Sequence, residues 1–209
     1  MILETLPVGL LQCNCTILGD EASREAVVVD PGDDIPKILF ILARHQLIVK
    51  QILITHAHID HIAGAQELKR ITGAPILYNQ RDLPLVAMMD VQASWLGAPT
   101  PTVDAPDEDL RDGDVVKIQG LDANILHTPG HTEGSLCVYV PDHSLLLSGD
   151  TLFSGSVGRT DLPGGNAATL LRSIHNRLLT LPDRTLVIPG HGRRTSIGAE
   201  RETNPFLQA

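Results

Sequence analysis

The sequence predicts an α/β domain in which two sheets pack face to face with helices on the outside, and three features carry that prediction. Segments with strand and helix periodicity alternate in both halves of the chain, the stretch between them reads as successive antiparallel strands, and 209 residues with 43% hydrophobic content suffice for one well-buried domain over residues 1–209. Residues 25–30 (EAVVVD) are β-branched and stop at Pro31-Gly32, which reads as a strand ended by a turn. Residues 35–45 set Ile38, Leu39, Ile41 and Leu42 on one apolar helical stripe, and residues 49–54 form a short buried strand that completes a β-α-β unit. Residues 61–72 repeat the helical spacing through Ile62, Ala65, Leu68 and Ile71, with Gly73 where a C-cap belongs. A helix is predicted over 78–96, followed by a surface connector over 97–114 that is rich in proline and acidic residues. Strands are then predicted at 115–118, 123–127, 135–140 and 144–147, a helix at 167–181 and a closing strand at 185–188.

Composition narrows the function classes. The 16 Lys and Arg against 25 Asp and Glu leave a formal charge of −9, which repels phosphate backbones and disfavours nucleic acid as a partner. No run approaches the roughly 18 apolar residues of a membrane-spanning helix, so no membrane partner is expected. Residues 1–11 contain Glu4 and no Lys or Arg, unlike a secretory or transit segment, so a cytoplasmic protein is expected. Cys13, Cys15 and Cys137 are an odd number in a chain too long to need staples; reduced thiols packed as small hydrophobes are expected, with a Cys13–Cys15 metal or redox pair as the alternative.

Chemistry concentrates where predicted strands give way to turns. Thr55-His56-Ala57-His58-Ile59-Asp60-His61 follows one strand and precedes a helix. In an extended segment His56, His58 and Asp60 project to one side, while His61 on the first helical turn approaches from another, an arrangement able to feed two adjacent metal ions, the alternative being surface polar residues of a loop. His131 (TPGHT), Asp150 (SGDT) and His191 (PGHG) each follow an apolar strand and are flanked by glycine or proline. Each alone is an ordinary turn residue. Together the five imidazoles and two carboxylates are donors suited to zinc, and also to iron or manganese.

Through THAHIDHIAG, HTPGHTEGS, LLLSGDTLF, GRTDLPGG, VIPGHG and TSIGAERETNPFL, the sequence resembles the metallo-β-lactamase superfamily over nearly its whole length, and within it the short bacterial glyoxalase II-like hydrolases. The resemblance implies a four-layer αββα sandwich with two divalent metal ions, zinc first among the candidates, at one edge of the sheets. It assigns His56, His58 and His131 to the first ion, Asp60, His61 and His191 to the second, and Asp150 as the bridge. Such a pair of ions supplies hydroxide at neutral pH and polarises a carbonyl, with Asp60 orienting the nucleophile. A thiolate leaves easily, so the implied substrate is a small-molecule thioester such as S-lactoylglutathione. Longer members carry a C-terminal helical domain that helps hold glutathione, whereas this chain ends at Ala209; their glutathione loop carries Lys and Tyr where this one reads SGSVGR at 154–159. Arg159 is the candidate cationic contact to a substrate carboxylate, the alternative being an ion pair with Asp161 that braces the loop. Arg193 and Arg194 raise the same possibility, and Arg201 reads as structural.

Two other readings stand beside the hydrolase. Persulfide dioxygenases resemble this chain in the histidine motif and the GRTD loop and use one iron, which would sit on His56, His131 and Asp150; PGHGRRTSIG around His191 lies nearer the hydrolase branch. The other is a metal-binding module without catalysis. Among the remaining histidines, His127 reads as a residue orienting a neighbour of the site or as a hydrogen-bonded core histidine, and His45, His143 and His175 as surface or helix residues.

Overall fold

The structure, a computed structural model, describes residues 1–208. In chain order the elements are β1 (Ile2–Val8), β2 (Cys13–Gly19), β3 (Glu25–Val29), α1 (Ile35–Arg44), β4 (Ile48–Leu53), α2 (Ile59–Ile62), α3 (Ala65–Thr72), β5 (Ile76–Tyr78), α4 (Leu83–Val86), α5 (Met89–Leu96) and β6 (Glu108–Asp109). The second half contributes β7 (Val115–Ile118), β8 (Leu121–His127), β9 (Leu136–Val140), β10 (Leu145–Gly149), β11 (Leu152–Phe153), β12 (Ser156–Val157), α6 (Ala167–Ser173), β13 (Leu186–Pro189), β14 (Thr195–Ser196) and α7 (Ile197–Thr203).

The first sheet runs β1-β2-β3-β4-β5-β6 and the second β14-β13-β10-β9-β8-β7, with β11-β12 as a separate hairpin. Alternation along the strands sorts their side chains into three cores, which define four layers. Val27, Val29, Leu145 and Leu147 face the space between the two sheets, together with Leu18, Leu53, Ile125 and Val138. The intervening Ala26 and Val28 point outward onto Ile35, Ile38 and Leu42 of α1 and Leu68 of α3. Leu146 points the opposite way, onto Leu170 of α6 and Ile197 of α7. The expected αββα sandwich is therefore the observed one.

Several predicted elements have different bounds, each for an identifiable reason. The predicted helix over 61–72 is two helices broken at Ala63-Gly64, where Gly64 packs against the Pro31 carbonyl with no room for a Cβ. The helix predicted over 78–96 is a 3-10 turn, Gln80–Asp82, followed by α4 and α5, and Tyr78 instead ends the buried strand β5, parallel to β4 and β6. The connector over 97–114 contains β6, an edge strand paired with β5. The last predicted helix is α6 followed by a π-turn, Ile174–Leu178. The N-terminal hairpin β1–β2 has little alternation in β1, whose residues are nearly all half-buried. Among the described residues no helix is long and apolar enough to cross a membrane.

Topology fixes where the chemistry collects. Strands β3 and β4 are parallel, as are β10 and β13, and β8 points the same way as β10 because both are antiparallel to β9. The carboxyl ends of these strands lie at one edge of the sandwich, where loops bind ligands in layered α/β folds.

Candidate metal centre

The loop after β4 carries His56 and His58, the β8–β9 turn carries His131, Asp150 follows β10 directly, and His191 follows β13 after Gly190. Asp60 departs from the extended geometry expected of it: the backbone turns helical at Ile59, with His58 as N-cap, so Asp60 and His61 share the first turn of α2. The divergence of donors nevertheless survives, because His56 and His58 leave from extended backbone and the other two from a helix.

All seven side chains converge. His131 Nε2 lies 3.2 Å from His56 Nε2 and 2.9 Å from His58 Nδ1. His191 Nε2 lies 3.3 Å from His61 Nε2 and 3.1 Å from Asp60 Oδ2. Asp150 stands between the groups, with Oδ1 3.5 Å from His61 Nε2 and Oδ2 3.7 Å from His131 Nε2. The trios His56–His58–His131, His56–His61–Asp150 and Asp60–His61–His191 each bring their donor atoms within 4.8 Å of one another. A tetrahedral ion with ligands at about 2.0–2.1 Å keeps those ligands roughly 3.3 Å apart, so the spacing fits metal coordination. Asp150 Oδ1 is buried with no hydrogen-bond partner among the described residues, a cost that a cation at this point would remove.

The rear nitrogens fix the ring orientations. His61 Nδ1–H donates to Asp30 Oδ2 at 2.9 Å, His131 Nδ1–H to the Arg159 carbonyl at 2.8 Å, and His191 Nδ1–H to the Leu11 carbonyl at 3.0 Å. Each of these bonds is made by Nδ1 and turns Nε2 toward the cluster. Burial, reinforced by the neighbouring imidazoles, holds His56 and His58 well below the ordinary histidine range, which keeps them neutral and able to ligate. Burial pushes the Asp60 carboxyl up, but His61 and His191 outweigh it and hold it below the carboxylate range.

Other singled-out residues take quieter positions. The Arg159 guanidinium makes a bidentate pair with Asp161, 2.8 Å on both arms, and it is the Arg159 carbonyl that reaches His131. Arg193 bonds Ser154 and Arg194 bonds Thr5, while Arg201 pairs with Asp183 and donates to the Leu179 and Leu181 carbonyls. His127 donates Nε2–H to the Glu133 carbonyl and so braces the turn bearing His131. Cys13, Cys15 and Cys137 are free and buried; Cys13 Sγ packs 3.4 Å from the rear nitrogen of His61. His45 pairs with Glu4, and His143 and His175 are exposed.

Sequence reasoning did not single out the residues that hold the ligand loops. Asp30 accepts from the Thr55 amide and hydroxyl, both at 2.7 Å, besides His61. Gln92 Oε1 accepts from the Ile59 amide at the start of α2, and buried Asp82 accepts from the loop carrying His56 and His58 and from the turn carrying His131. Asp30 had one legible signal, a carboxylate ending an apolar strand before Pro-Gly; Asp82 and Gln92 had none.

A domain with this layering and this edge cluster belongs to a recognisable class. The profile of the Metallo-beta-lactamase superfamily matches residues 8–191, and the chain belongs to that superfamily. Hydroxyacylglutathione hydrolase GloC of Haemophilus influenzae is 36% identical over 211 residues, covering 100% of this chain and 99% of that protein. Among solved structures, BLEG-1 B3 metallo-beta-lactamase matches with a TM-score of 0.93 at 37% identity, each chain covered fully. TTHA1623 in a di-iron-bound form gives 0.85 at 38% identity, covering 99% of this chain and all of that one. ETHE1 from Myxococcus xanthus gives 0.82 at 31% identity, covering 98% and 84%.

Proposed function

We propose that the protein is a dinuclear metal-dependent hydrolase acting on thioesters of the S-2-hydroxyacyl-glutathione type. The observation that carries this reading is the pair of donor trios at one edge, His56–His58–His131 and Asp60–His61–His191, with the Asp150 carboxylate between them. Two divalent ions held there would supply activated water at neutral pH and stabilise charge developing on a carbonyl oxygen. The remaining work falls to the chain. Asp30, the Arg159 carbonyl and the Leu11 carbonyl hold three imidazoles in the tautomer that presents Nε2. A cavity of about 590 Å³ opens on Asp60, walled by Leu10, Leu11, Ile35, Leu96 and Pro99, which is room for a substrate beside the donors. Of the carboxylates in that wall, which also include Asp33, Asp34 and Glu67, Asp60 is the one that meets the donor cluster, 3.1 Å from His191 Nε2.

Thioesters suit this arrangement because a thiolate, with a parent thiol pKa near 8.5, departs without a protein acid. The name of GloC supports the acyl-glutathione assignment. The di-iron form of TTHA1623 supports two ions and leaves iron beside zinc and manganese as the metal. The persulfide dioxygenase reading is kept because of the likeness to ETHE1, and it would use His56, His131 and Asp150 for a single iron.

Metal analysis combined with three assays separates the readings. Two ions per chain with thioester hydrolysis is the expected result. One iron with oxygen uptake on glutathione persulfide would replace the hydrolase by a dioxygenase. Two ions with no turnover of thioester, lactone, β-lactam or phosphoester would leave a binding module.

A further inference from the structure

Asp82 lies in the 3-10 turn Gln80–Asp82 that follows β5, and it is 1% exposed. Its Oδ2 accepts from the Ala57 amide at 3.0 Å and from the Thr132 hydroxyl at 2.9 Å, and its Oδ1 accepts from the Gly134 amide at 2.7 Å. Ala57 stands between His56 and His58 on the first sheet's loop. Thr132 directly follows His131 on the second sheet's turn, and Gly134 lies just beyond Glu133 on the same turn. One carboxylate therefore ties together the two backbone segments that carry one whole trio. The fit is close: a Cβ on Gly134 would fall 2.7 Å from Asp82 Cγ, so this turn has no room for a side chain against the carboxylate.

The other trio is held by different groups. Gln92 fixes the start of α2 through the Ile59 amide, Asp30 holds His61, and the Leu11 carbonyl holds His191. Asp82 makes none of these bonds.

We propose that Asp82 is a positioning residue for one ion only: by pinning the His56–Ala57–His58 loop to the His131 turn it sets the affinity of the His56–His58–His131 trio, and not that of Asp60–His61–His191. The inference rests on the dinuclear reading above. Its chemistry is specific to a carboxylate. Three donors converge on two oxygens, so Asp82→Asn turns an NH2 group toward at least one N–H or O–H and breaks that tie, while the side chain keeps its size. Loss of such an outer partner typically weakens metal binding about 10–100-fold.

The test is a cobalt(II) titration of metal-stripped protein against a competing chelator, followed by visible absorption and by ion counting. In wild type two ions bind. In Asp82→Asn one ion is expected to weaken about 10–100-fold while the other keeps its affinity. A His191→Ala background, in which the second trio is broken, identifies the affected site: there the remaining ion must weaken when Asp82→Asn is added. Thr132→Val removes a single bond and is expected to shift the same ion by less; it carries the test if Asp82→Asn does not fold. Asp82→Glu, which restores a carboxylate, is expected to recover part of the loss. Equal weakening of both ions, or unchanged binding, in a folded variant would overturn the assignment. Wild type that binds fewer than two ions would instead defeat the dinuclear reading, and this inference with it.

Discussion

Asp150 places one carboxylate oxygen near His61 and the other near His131 and His191, so it is the side chain on which a two-ion site most depends. Asp150→Asn exchanges a charged oxygen for an NH2 group that cannot ligate. Turnover is expected to fall roughly a hundredfold or more, about 3 kcal/mol of transition-state stabilisation, with ion content dropping below two. Near-normal kinetics would contradict the assignment. Arg159 leads to the opposite expectation. Its guanidinium is exposed and already engaged by Asp161, and solvent screens such an exposed pair. Arg159→Ala should therefore change KM by less than about twofold, whereas a tenfold rise confined to anionic thioesters would put the guanidinium on the substrate. At this scale the candidate donors were legible because few residue types bind metals and these cluster where strands end. Asp82 and Gln92 were not legible, because a lone polar residue becomes a support only once folding places backbone amides around it.

Among the elements, α2 carries two of the proposed ligands and is seated by close backbone approach. Gly32, in the turn after β3, lies so near the Asp60 carbonyl that a Cβ would fall 1.6 Å from it. Gly32→Ala must displace either α2 or the turn. The expected cost is about 3 kcal/mol, read as a lowered urea midpoint, accompanied by weaker metal binding at the Asp60 trio. A midpoint within error of wild type would show that α2 tolerates the shift. The far end of the same layer offers a pH test. Glu4 of β1 bonds His45 and Arg44 at the end of α1, and those bonds, the His45 bond first, hold its carboxyl below 4.5. The contribution is fully present above about pH 4.5 and is lost as pH falls through the lowered folded value. Glu4→Gln is expected to cost about 0.5 kcal/mol at pH 7, with the difference from wild type vanishing in acid. A difference that persists at low pH would assign the effect to packing. Amphipathic elements such as α1 were readable from their period, whereas the break between α2 and α3 was not, since Gly64 there packs against the Pro31 carbonyl, a contact with a different part of the chain that no period records.

Across the whole molecule, the proposed ligands come from both sheets, so bound ions would cross-link the two halves at one edge. For an ion present at 1,000 times its dissociation constant the linkage is about 4 kcal/mol, and for a chain of this size each kcal/mol moves Tm by about 2–4 °C. Stripping the metal is therefore expected to lower Tm by about 10 °C in calorimetry, and an unchanged Tm would mean that the edge is held without ions. The layering follows from information that is local in the chain. Alternation along β3 and β10 sends successive residues into different cores, and that pattern exists before any contact forms. The identities of the donors are local in the same sense. Which donor meets which is not local: His56 meets His131 and Asp60 meets His191 only because the two sheets stack with their strand ends at a common edge. The tautomers of His61, His131 and His191 are likewise settled by acceptors from Asp30, Arg159 and Leu11, and the Asp82 tie joins loops of different sheets. A period along one strand holds no information about the partner across a sandwich; that partner is chosen by packing, which the tertiary structure alone decides.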